Sequence, residues 1–173
     1  MRDIRDHSNF TVVGVEPSRE MCEMGKEKYG LDIRQGALLE QKFPSSSFDV
    51  VIMSHVIEHL YNSEEILREI RRILTPGGLV LIKTPNEKTL ERDIFKKYWF
   101  SYDVPRHLLL FNKDSLHILL KNVGFDLVKI SYEKTPNNLI LSMQNFCIGQ
   151  RIPRFICRFF DIDNYISLLL FFP

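Results

Sequence analysis

The stretch from Phe48 to Asn86 constrains the fold most, because it contains strand, helix, stop and strand within the length of one βαβ unit. Phe48-Asp-Val-Val-Ile-Met-Ser54 is a near-continuous apolar run, the pattern of a parallel strand covered on both faces. After Ser63, residues Ile66, Leu67, Ile70, Ile73 and Leu74 recur at helical spacing; Glu64 and Glu65 come early and Arg71 and Arg72 late, as the helix dipole favours. Thr75-Pro-Gly-Gly78 then forms a hard stop, and Leu79 to Thr84 reads as a second buried strand.

The flanking sequence extends the same alternation. Upstream, Phe10 to Glu16 reads as a strand that ends on a carboxylate. Ser18 is placed to cap a helix with Glu20 in its first turn, Gly30 to close it, and Met21 and Met24 to mark its inner face. Asp32 to Gly36 is a short third strand, and Pro44 to Ser47 a surface turn. Downstream, residues 87–111 form a long, aromatic, irregular connection, a length that compact domains usually keep for function. Asn112 caps a helix from Lys113 with Leu116, Leu119, Leu120 and Val123 inward and Gly124 as its stop, after which Phe125 to Tyr132 reads as a strand. Helices are expected over Asn137 to Ile148 and Pro153 to Phe160, followed by an apolar run of either type from Ile166 to Phe172. The class is α/β, a parallel sheet with helices on both faces. Residues 1–136 form the domain and 137–173 an apolar and basic helical extension of it.

Composition narrows the function. With 23 basic and 22 acidic side chains there is no electrostatic footprint for nucleic acid. Cys22, Cys147 and Cys157 lack the spacing of metal or redox motifs and read as reduced packing residues. The first nine residues carry no apolar leader segment, and no run reaches the roughly 18 apolar residues of a spanning helix, so a cytoplasmic protein is expected.

Val13-Gly-Val-Glu16, Phe48-Asp-Val-Val51, His55-Val-Ile-Glu-His-Leu60 and Leu74-Thr-Pro-Gly-Gly78, taken in order, resemble the class I S-adenosylmethionine-dependent methyltransferases. Trp99-Phe100, Asp103-Val-Pro-Arg-His107, Phe111, Ser115-Leu116 and Val123-Gly-Phe125 are similar to one bacterial and archaeal subgroup of them. The resemblance implies a Rossmann-like sheet, S-adenosylmethionine as cofactor, and methyl transfer to a small or lipid-linked acceptor. It also implies roles for particular residues. Glu16 holds the ribose diol at the carboxyl edge of the sheet, Gly36-Ala37-Leu38 flanks the adenine, and Ser54 belongs to the cofactor site at the end of the fourth strand. In the subgroup the loop carrying His107 lies over the acceptor pocket, which makes His107 a candidate general base, with His55 as a second candidate. The spacing of His55, Glu58 and His59 is similar to a metal motif of some small-RNA and quinone-pathway methyltransferases, but structural hydrogen bonding is the expectation here, with no metal.

One element of the resemblance is missing. No glycine-rich strand-to-helix turn precedes the Glu16 strand, so the sheet is expected to be incomplete, its first strand absent from between the strand ending at Glu16 and the strand starting near Phe48. Two strand edges then face a gap, which invites self-association and is expected to impair the chain's activity. A catalytically silent fragment or interaction module is the rival reading, and a nicotinamide-dependent oxidoreductase a third. Arg151, Arg154 and Arg158 share a helical face opposite Ile152, Phe155, Ile156 and Phe159, a pattern of core packing that also allows peripheral membrane contact through residues 151–173.

Overall fold

The computed structural model describes residues 1–132 and 136–150, so the expectations placed on residues 151–173 lie outside the described residues. In chain order the elements are α1 (Arg2–Asp6), β1 (Val13–Glu16), α2 (Arg19–Tyr29), β2 (Asp32–Gln35), β3 (Phe48–Ser54), α3 (Ser63–Ile73), β4 (Leu74–Lys83), α4 (Leu90–Phe95), α5 (Lys113–Asn122) and α6 (Pro136–Gly149). They fall into two compact units, Met1–Val51 with Glu65–Leu79, and Ile52–Glu64 with the described residues from Val80 onward. No helix among the described residues is long and apolar enough to cross a membrane.

In the first unit β1 and β2 pair in parallel, from Val13 opposite Asp32 to Glu16 opposite Gln35. Ser18 caps α2 by accepting from the Met21 amide, and Gly30 closes it at φ 59°. The inner face of α2 differs from expectation: Cys22 and Gly25 are buried while Met21 and Met24 are exposed. The cause is close approach of the sheet, since a Cβ on Gly25 would stand 2.3 Å from Cδ1 of Ile33. Short side chains therefore face β2, and the methionines turn away. Helix α1, not anticipated, is tied down by Arg5, whose Nη1 donates to the carbonyls of Tyr29 at 2.6 Å and Gly30 at 3.0 Å.

Helix α3 buries Ile66, Leu67, Ile70 and Ile73, the stripe its period predicts. The stop after it is incorporated in β4, which starts at Leu74 and carries Gly77 at φ 83° within its length. Arg72 staples the turn before β3, donating from Nη2 to the Phe43 carbonyl at 2.5 Å and from Nη1 to Ser45 Oγ at 2.9 Å. Glu69 accepts two further bonds from that guanidinium, at 2.8 and 2.7 Å. This hydrogen bonding holds the Glu69 carboxyl below the usual carboxylate range, against a smaller opposing effect of burial. A depressed folded-state value means that the pair's stabilisation is whole above the ordinary glutamate range and is lost as the pH falls through the folded value. The urea midpoint of the wild type is thus expected to drop more steeply on acidification than that of Glu69→Gln, and equal slopes would contradict this account.

The strands form two two-stranded sheets, β1 with β2 and β3 with β4, and no ladder joins the pairs among the described residues. This matches a sheet that lacks its central strand. The pattern of β3 and β4 shows the same shortfall: Val50 and Ile52 are each 50% exposed, and Leu79 and Leu81 each 55%, on strands whose apolar runs suit cover on both faces.

In the second unit Ile57, Trp99, Phe111, Leu120 and Val123 are buried. Asn112 caps α5 by accepting from the Asp114 and Ser115 amides at 2.9 and 3.0 Å. Gly124 follows the helix at φ 83°, as its stop. The long connection is more ordered than the sequence suggests, holding α4 and 3-10 turns at Lys96–Tyr98 and Phe100–Tyr102. Helix α6 braces it: Ser142 Oγ accepts from the Phe100 amide at 2.9 Å, and Phe146 packs edge-on against Tyr98 and Phe95. The expected strand from Phe125 to Tyr132 is not formed. A strand needs a ladder partner, and this segment has none among the described residues, so Val128 and Tyr132 stay exposed.

Candidate functional site

In the first unit, β1 ends on Glu16 at the carboxyl edge of a parallel pair, where open α/β sheets bind ligands. Its Oε1 accepts from the Ser18 amide at 2.9 Å, which fixes the carboxylate over the start of α2. The turn after β2 lies beside it, because the Gly36 amide donates to the Glu16 carbonyl at 3.0 Å. Gly36 has φ 116°, a backbone angle that favours glycine, and a Cβ there would meet the Glu40 carboxylate, with Oε2 at 2.5 Å. The Ala37 amide donates to Glu40 Oε2 at 2.8 Å. Two amides of this turn are therefore already engaged, and Leu38 is half-buried. Glu40 was not foreseen: its spacing of three from Ala37 is a capping pattern, but Ala37 at the cap position hides it.

In the second unit, Ser54 and His55 follow one another at the end of β3, both exposed, with His55 held at φ 53° by a bond from its amide to the Lys83 carbonyl at 2.9 Å. A left-handed angle on a non-glycine residue is a strained geometry of the kind that collects at functional sites. The 3-10 turn Ile57–His59 comes next. Glu58 is 1% exposed, with Oε1 at 3.1 Å from His55 Nδ1 and Oε2 accepting from Thr84 Oγ1 at 3.0 Å. Its backbone carbonyl accepts from the Leu108 and Leu109 amides at 2.8 and 3.1 Å, fastening the Arg106-His107 segment to this turn.

That fastening brings two imidazoles together. The rings of His59 and His107 lie 4.8 Å apart at 59°. His59 Nδ1 is 2.9 Å from the Arg106 carbonyl and His107 Nδ1 is 2.7 Å from the Ser101 carbonyl. A carbonyl can only accept, so each Nδ1 donates, and Nε2 is the ring atom left for other partners. His107 Nε2 stands 3.8 Å from Asp103 Oδ2. Asp103 is itself fixed by Arg106, at 2.7 Å. Glu58, His59 and His107 present ligand atoms within 4.8 Å of one another, a set able to share a proton or a divalent ion. The convergent set thus differs from the spacing motif: His107 completes it, while His55 sits behind Glu58. Asp103 and Thr84 were missed because their approach depends on how the loop folds, which residue spacing does not record.

The comparisons identify the family. A family model for a methyltransferase domain matches residues 2–130. The chain belongs to this methyltransferase family. A Mycolicibacterium smegmatis protein named as a probable S-adenosylmethionine-dependent methyltransferase is 37% identical over 118 residues, covering 66% of this chain and 43% of that one. A demethylmenaquinone methyltransferase of Staphylococcus haemolyticus is 26% identical over 143 residues, covering 69% and 59%. Among solved structures, a SAM-dependent methyltransferase from Thermotoga maritima superimposes with TM-score 0.56 at 25% identity, covering 66% of this chain and 55% of that one. One from Archaeoglobus fulgidus shares the fold with TM-score 0.60 at 19% identity, over 86% and 72%. The chain spans less than two thirds of the length of these first two relatives. Its Rossmann-like α/β class is that of its structural neighbours, and membership of a methyltransferase family removes the nicotinamide-dependent reading.

Proposed function

We propose that this chain carries part of the machinery for methyl transfer from S-adenosylmethionine to a small or lipid-linked acceptor in the cytoplasm, and that its activity alone is impaired. The match across residues 2–130 carries the first half of the reading. The second half rests on how well the residues present fit the cofactor. Glu16, fixed at the sheet edge, fits a ribose diol. The rest fits less well: the Gly36 and Ala37 amides that would flank the adenine are bonded within the protein, and residues 1–12 hold no glycine-rich turn to cradle the aminoacyl end. The same commitment of amides favours the rival reading, a silent module that retains the later strands.

When bound, the cofactor supplies the electrophilic methyl group. This chain's contribution on the acceptor side is proton management. His107 Nε2 takes the acceptor's proton, its ring held by the Ser101 carbonyl and its charge balanced by Asp103. His55, with Nδ1 turned to Glu58, positions that carboxylate. No ion is assigned to the cluster, because both Glu58 oxygens already serve His55 and Thr84. Self-association is also proposed, through strand residues left half-exposed in each unit by itself, Val50 and Leu79 in the first and Ile52 and Leu81 in the second.

The experiment follows label from methyl-labelled S-adenosylmethionine into small-molecule and lipid extracts, using the chain extended at its N-terminus by the glycine-rich strand and turn of a relative. His107→Gln is expected to lower incorporation by about 10²-fold, the usual worth of a general base. Undiminished labelling by His107→Gln would remove the assignment, and labelling by the unextended chain at the same rate would remove the claim of impairment.

A further inference from the structure

Helix α4 and the turns after it border an open cleft of about 540 Å3 lined by Arg92, Asp93, Lys96, Lys97, Tyr102 and Val104. Three cationic side chains face it against one carboxylate. Neither lysine has a carboxylate partner among the described residues; Lys97 lies over the Tyr98 ring, 5.0 Å from its centre. Arg92 is held more firmly charged than usual, chiefly by a hydrogen bond with the Tyr102 hydroxyl, and its Nε is enclosed without an acceptor. The wall is also fixed. Thr89 caps α4 by accepting from the Arg92 amide, Lys96 takes φ 49° at the end of that helix, and Phe146 of α6 packs against Tyr98 and Phe95.

A pocket with this excess of positive charge is poorly matched to a neutral ligand and over-matched to a single carboxylate. A guanidinium fork with two ammonium groups and a phenol suits a phosphoryl group, which offers several acceptor oxygens and close to two negative charges. We propose that this cleft binds a phosphate group of the methyl acceptor and so restricts acceptors to phosphorylated compounds. The inference rests on the reading of this loop as part of the acceptor side, but the binding itself needs neither cofactor nor activity. The pocket also explains why the long connection is basic where it is: Lys96, Lys97 and Arg92 gather on one cleft rather than spreading over the surface.

The test is titration of the isotope-labelled chain with inorganic phosphate, read by backbone amide chemical shifts. Saturable shifts confined to residues 92–104 are expected, with at least tenfold weaker binding in the Lys96→Gln/Lys97→Gln variant, whose exposed side chains leave the fold intact. Arg92→Lys keeps the charge without the fork and is expected to weaken phosphate as well. Acetate binding as tightly as phosphate, or shifts scattered over lysines elsewhere, would overturn the proposal. A second arm uses vesicles of phosphatidylglycerol and of phosphatidylcholine. Retention on the first alone, displaced by phosphate and lost in the double variant, assigns the group to a lipid headgroup; phosphate binding without retention assigns it to a soluble ester. Phosphate binding without any methyl transfer by the N-terminally extended chain would leave the pocket standing and remove the methyl-transfer reading, whereas methyl transfer by that chain without phosphate binding would do the reverse.

Discussion

Glu58→Ala is expected to destabilise the chain by about 2–4 kcal/mol, with Glu58→Gln costing less than half of that. The alanine leaves the Thr84 hydroxyl and the His55 ring without their acceptor, and it opens a void where the fully buried glutamate side chain beyond Cβ was packed. Glutamine keeps the volume and can still accept from Thr84. Glu58 also fixes the histidine pair through its position, since the turn that carries it offers the carbonyl on which Leu108 and Leu109 hang. Urea unfolding of the three proteins at neutral pH measures both changes. A Glu58→Ala midpoint within the error of wild type would show that the carboxylate is merely tolerated there.

Local rules made much of this fold legible. The period of Ile66, Leu67, Ile70 and Ile73 gave α3, and the Ser18 and Asn112 caps with Gly30 and Gly124 bounded α2 and α5, because capping and periodicity act within a few residues. Failures arose where a tertiary partner decides. Met21 and Met24 looked inward on apolarity alone, but the approach of Ile33 leaves room only for Gly25 and its small neighbours. Phe125 to Tyr132 has the composition of a strand and no ladder to join. For the candidate site, motif order singles out Glu16 and His107 as candidates, and the structure places Glu16 at the carboxyl end of β1 and His107 beside His59. It did not reveal that Glu40 takes the Ala37 amide or that Asp103 backs His107, since both depend on side chains that meet only once their loops are folded.

The larger expected effect concerns the cofactor. S-adenosylmethionine needs three supports, and the proposed reading gives this chain one of them, the Glu16 carboxylate fixed at the end of β1. The amides of Gly36 and Ala37 would have to give up existing bonds, and residues 1–12 hold no glycine-rich turn. The strand whose absence leaves β1–β2 and β3–β4 as separate pairs would also carry that turn in the resembling fold, so one added segment is expected to restore both. Each tenfold in affinity is about 1.4 kcal/mol, and a regained aminoacyl cradle of several charge-assisted bonds is ample for two such steps. Calorimetric titration of S-adenosylmethionine into the monomeric 173-residue chain tests this most directly. The account predicts a dissociation constant weaker than about 100 μM, tightening at least tenfold when the glycine-rich strand and turn of a relative are grafted ahead of Met1, and lost again in the grafted Glu16→Gln variant. Low-micromolar binding by the ungrafted chain would contradict it.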